Sequence, residues 1–195
     1  MRKRATAVLL PAALWLAACA PTGDFTGEMP EFSETKDGAR LRFGQVAKVV
    51  TEDVAHHVPV QWEVKVEKPK LIDAPRSAAQ TKQFICFPVE LTPVAVGVFS
   101  TDVTVALPEL KPIDGSRYAN LADPAYCAEA AEAAESADEA PAGGSELVPL
   151  SGYTGDLVAG EPQRTYVASW VGTANPGIEG TGVELSTQDT SFSWR

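Results

Sequence analysis

Residues capable of chemistry are few in this chain and widely spaced. Three cysteines stand at Cys19, Cys86 and Cys127, and the only two histidines, His56 and His57, are adjacent. Neighbouring histidines on an extended strand point to opposite faces, so they share one metal ion only if the chain turns between them. With Glu52 and Asp53 close by, they are the candidate metal ligands, set against the plainer reading of an exposed loop pair. No G-x-S-x-G elbow occurs, and the serines have no recognisable nucleophile setting. The glycines of "NPGIEGTGVEL" do not lead from a strand into a helix, so they make a turn and not a phosphate cradle. Acids number 26 against 16 Lys plus Arg, an abundance that empties any carboxylate pair of glycosidase meaning. The sequence therefore predicts no catalytic residues and no cofactor.

Cys19 has the most specific setting. "MRKR" is a cationic start, and Ala5 to Ala18 is an apolar run of about 14 residues, short of the roughly 20 that a membrane span needs. Two processing routes compete. Ala18-Cys19-Ala20 fits ordinary small-x-small cleavage after Ala20, but that cut would leave Pro21 first, a poor fit for most peptidases. "LAAC" (Leu16 to Cys19) resembles a bacterial lipobox, in which the cysteine sulfur takes a diacylglycerol and becomes the new N-terminus. Two acyl chains, at about 0.8 kcal/mol per buried CH₂, pass the threshold for stable anchoring that one chain misses. The expected mature protein is thus anchored to a membrane through Cys19 without spanning it.

Loss of residues 1–18 would remove Arg2, Lys3 and Arg4 and no acid, moving the formal net charge from −10 to about −13. Phosphate backbones repel such a chain, which excludes nucleic acid as an expected partner. Residues 19–38, rich in Pro, Gly, Thr and acids with no period, predict a flexible acidic tether.

From residue 39 the apolar period becomes two. In "VQWEVKVE", Val60, Trp62, Val64 and Val66 share one face and Gln61, Glu63, Lys65 and Glu67 the other, as a half-buried strand requires. Further strands are expected at 40–50, 83–91, 94–99, 102–107, 164–171, 182–186 and 190–194, with 83–99 as one long strand broken at Pro93. Trp62, Trp170 and Trp194 are expected in the core. Together these predict an all-β, antiparallel sandwich over residues 39–195. Residues 128–146, Ala- and Glu-rich, predict an insert that is either a short exposed helix or a loop. In an exported chain Cys86 and Cys127 are expected to pair, pinning this insert to a strand; two buried free thiols are the alternative.

These motifs carry a resemblance over residues 39–195. "PVQWEVKVEKP", "FICFPVELTPVAV", "PELKPIDGSRY", "LVAGEPQRTYVASWV" and the closing "TSFSW" resemble the telokin-like, immunoglobulin-type domains of actinobacterial secreted lipoproteins. The mycobacterial immunoprotective secreted antigen family belongs to the same neighbourhood. The resemblance implies an immunoglobulin-like sandwich on the outer side of the cell membrane, and it supplies no catalytic residues to carry over. The expected function is a non-enzymatic interaction or cell-envelope role, with an envelope protein as possible partner. The alternative is a small-ligand or metal-binding lipoprotein acting with a membrane partner.

Overall fold

The computed structural model describes residues 29–52, 59–73, 83–96, 107–137, 159–171, 179–187 and 189–195. In chain order these form β1 (Arg40–Leu41), β2 (Val46–Glu52), β3 (Pro59–Val66), β4 (Lys70–Asp73), β5 (Gln83–Val96), β6 (Glu109–Asp114) and β7 (Arg117–Tyr118). They continue with α1 (Ala125–Ala137), β8 (Gln163–Val171), β9 (Gly182–Ser186) and β10 (Ser191–Trp194). The expected all-β sandwich is what the strands build.

One sheet runs β1-β10-β9-β6-β7, antiparallel except that β1 lies parallel to β10. The other is centred on β5. Its one side pairs first with β3 and then with β4, which lie end to end, and its other side pairs with β8; β2 flanks β3 at the edge. Strands β2, β3 and β5 are thus a meander within one sheet. The immunoglobulin constant arrangement instead separates its second and third strands into different sheets.

The period-two pattern of β3 is realised in full: Val60, Trp62, Val64 and Val66 are completely buried. With Phe87, Val89, Leu91 and Val167 of their own sheet, they form one core cluster with Val183, Leu185, Phe192 and Trp194 of the opposite sheet. Burying each such side chain contributes about 1.5–3 kcal/mol, which makes this the main stabilising layer. Trp62 Nε1 donates to Thr51 Oγ1 at 2.8 Å and Trp194 Nε1 to the Gln45 carbonyl at 2.8 Å, so neither indole nitrogen is stranded inside.

Three expectations change. The stretch 40–50 is two strands in two sheets, because Gly44 takes φ +86° and Gln45 N bonds the Arg42 carbonyl at 3.0 Å, turning the chain between β1 and β2. Strand β5 is continuous through Pro93: a register shift opposite Gln61 and Trp62 absorbs the proline. Trp170 is not in the sandwich core but packs, half-buried, on the outer face of β8. Most of the expected strand 102–107 lies outside the described residues.

Residues 29–38, expected as a free tether, are laid against the domain. Thr35 N donates to the Lys48 carbonyl at 2.8 Å, and Lys48 N to Thr35 Oγ1 at 2.8 Å, along the open edge of β2. The chain then crosses to the other sheet, where Gly38 N bonds the Ser191 carbonyl at 2.8 Å. Backbone and hydroxyl hydrogen bonds hold it, and such bonds leave no apolar period in the sequence.

Candidate functional site

Among the residues expected to matter, the structure brings Cys86 and Cys127 together. Their sulfurs are 2.00 Å apart, with Cα atoms at 5.7 Å. Strand alternation explains the position of Cys86. Odd residues of β5 face the sandwich core, so Phe84 and Cys86 face outward, beside Ala168 and Trp170 of β8. Helix α1 covers this second apolar patch. Asp123 Oδ1 accepts from Ala125 N at 2.9 Å, and Pro124 carbonyl accepts from Cys127 N at 3.0 Å and Ala128 N at 3.1 Å, so an Asp-Pro pair starts the helix. That start lies three residues before the expected insert, and it places Tyr126 and Cys127 on the sheet. The Tyr126 ring stacks on Phe84 at 4.8 Å. Around Phe84, Cys86 and Ala168, strands β5 and β8 are consequently buried on both faces, which is why "QFICF" shows little alternation. The Asp123-Pro124 signal was present in the sequence and would have found the true helix start; residues 138–146 of the expected insert lie outside the described residues.

Cys19, His56 and His57 also lie outside the described residues. Among the described residues no group of three or more His, Cys, Asp or Glu side chains could hold a metal ion. No helix among them is long and apolar enough to cross a membrane.

An open cleft of about 980 Å³ lies where residues 34–37, the end of β2 and the β9–β10 turn meet. Glu34, Asp37, Glu52, Glu109 and Asp189 line it, with Lys36. Several of these groups have structural duties. Asp37 Oδ1 accepts from Ser191 N at 2.8 Å, Glu34 Oε2 from Val50 N at 3.4 Å, and Glu109 Oε1 pairs with Lys111 Nζ at 2.8 Å. Thr187 and Thr190 hydroxyls bond one another at 3.0 Å across the turn. Asp37 and Glu34 thus cap strand N–H groups, and Glu109 balances a lysine.

Two lysines on strand faces have pKa values raised above the ordinary 10.5. The hydrogen bond that Lys65 donates to Glu67 is the leading cause for Lys65, and the one that Lys111 donates to Glu109 for Lys111, each helped by the carboxylate's charge. Compared with known proteins, the chain matches no family model, no curated protein and no solved structure.

Proposed function

We propose that this chain is a lipid-anchored β-sandwich on the outer side of the bacterial cell membrane, with a non-enzymatic interaction or cell-envelope role. The observation that carries the reading is the pairing of Cys86 with Cys127, which leaves Cys19 as the third cysteine. Disulfides persist in oxidising compartments outside the cytoplasm, so the pairing favours export. In such a compartment a third thiol needs its own fate, and "LAAC" at the end of an apolar run supplies one. Kinship with the telokin-like domains of actinobacterial lipoproteins belongs to the same proposal and rests on the motifs alone.

The test is membrane fractionation and intact mass of the wild type beside Cys19→Ser. The expected result is a wild type that sediments with membranes, begins at Cys19 and carries the mass of a diacylglycerol, and a variant that does none of these. Identical fractionation and mass for both chains would refute the anchor.

A further inference from the structure

We infer that residues 29–38 are a strap that halves the maximal reach of the anchored domain and sets which side of it lies nearest the membrane. This rests on the Cys19 anchor proposed above. The strap is fixed at several points along its length. At its start, the buried Gln61 donates from Nε2 to the Pro30 carbonyl at 2.9 Å. Lys48 Nζ then sits 5.4 Å above the Phe32 ring. Next comes the two-way pairing of Thr35 with the Lys48 backbone, at 2.8 Å in each direction. At its end, Ser191 N donates to Asp37 Oδ1 at 2.8 Å and the Ser191 carbonyl accepts from Gly38 N at 2.8 Å. The strap therefore joins the β2 edge of one sheet to β10 of the other.

Chain geometry converts this docking into a distance. Ten residue steps separate Cys19 from Met29, and they cannot span more than about 36 Å in any conformation. Without the strap, twenty steps would lead from Cys19 to Ala39, with a limit of about 72 Å. The described part of the chain begins beside Gln61, on the outer face of β3. The β2–β3 side is therefore the side tied to the bilayer.

Two measurements test this on the full lipidated chain and on its lipid-free form. Thr35→Pro removes the Thr35 N–H and hydroxyl together and lies outside every strand. Glu34→Ala with Gln61→Ala loosens the strap by a second route, should the proline disturb the domain. Neutron reflectometry on a supported bilayer should place the near side of the wild-type domain within about 36 Å of the headgroups, and the variants' mean separation should be larger by roughly 7 Å, the difference between flexible tethers of twenty and ten steps. Hydrogen exchange at the Lys48 amide, read on the lipid-free protein, should rise at least tenfold on release. Wild-type density starting beyond that limit, or Lys48 exchange unchanged in the variants, would overturn the strap. A wild type that never associates with the bilayer would overturn the anchor reading instead, and the membrane half of this inference with it.

Discussion

Breaking the Cys86–Cys127 bridge should destabilise the domain by an amount set by the loop it closes. The cysteines are 41 positions apart. On the loop-entropy model, releasing a loop of that size gives the unfolded chain about 4 kcal/mol of conformational freedom. For a domain of this length each kcal/mol shifts the melting temperature by about 2–4 °C, so the expected drop is about 8–16 °C. The cleanest comparison is oxidised against reduced wild type in urea, since reduction keeps both sulfurs in place and removes only the crosslink. Reduction should be done in denaturant before refolding, because Cys86 and Cys127 are only 3% and 2% exposed in the folded protein. The double variant Cys86→Ala/Cys127→Ala should lose slightly more than reduction does, through the cavity left at the second apolar patch. The m-value should also rise on reduction, because an uncrosslinked chain exposes more surface when it unfolds. Coincident oxidised and reduced urea curves would refute the reasoning, and would mean that the bridge spans a region already ordered without it.

Three other outcomes are expected. Gly182→Ala would put a Cβ 2.5 Å from the Trp194 carbonyl oxygen, a backbone atom that cannot swing aside. It should cost about 1–3 kcal/mol or more in chemical denaturation, with near-wild-type stability as the contrary result. Thr51→Val strands the buried Trp62 Nε1–H and should cost about 1–3 kcal/mol, with Thr51→Ser recovering most of it; equal losses for the two would deny the hydrogen bond its role. For Lys65 and Lys111 the folded pKa is raised, so their stabilising share is complete below the ordinary value of 10.5 and fades as pH climbs through the folded value. The stability gap between wild type and Lys65→Gln should accordingly be flat from neutral pH to about 10 and narrow above that; a gap that narrows near neutrality would contradict the assignment.

How much of this was legible in the sequence depended on what held each part in place. Strand β3 was plain because one face meets the core and most of the other meets water, so apolar and polar residues alternate from Val60 to Val66; only Gln61 on the outer face is buried, under the strap. Strands β5 and β8 were legible as strands but not as doubly covered ones. A residue such as Trp170 is apolar whichever layer it serves, and only pairing register says which. The β1–β2 corner was hidden because Gly44 interrupts a run whose two halves both read as strand. The strap was hidden for the opposite reason: "EFSETKDG" has a linker's composition, and it docks through Thr35, Asp37 and main-chain groups, none of which produces an apolar pattern. For the candidate site, the cysteine pairing followed from counting thiols and from compartment. The polar cleft could not be read at all, since it is assembled from segments around 34, 52, 109 and 189 that only the fold brings together.

The parallel pairing of β1 with β10 has a consequence for how the molecule is made. Arg40 sits opposite Ser193 and Leu41 opposite Trp194, and Arg195 N reaches back to the Leu41 carbonyl at 2.9 Å. Trp194 is also among the largest fully buried side chains. A nascent chain therefore lacks both the sheet neighbour of β1 and a central piece of its core until β10 has been synthesised. The meander of β2, β3 and β5 can collapse early, but the sandwich closes as a terminal event. Until β10 emerges, the growing domain stays open and unlatched, with its core face uncovered.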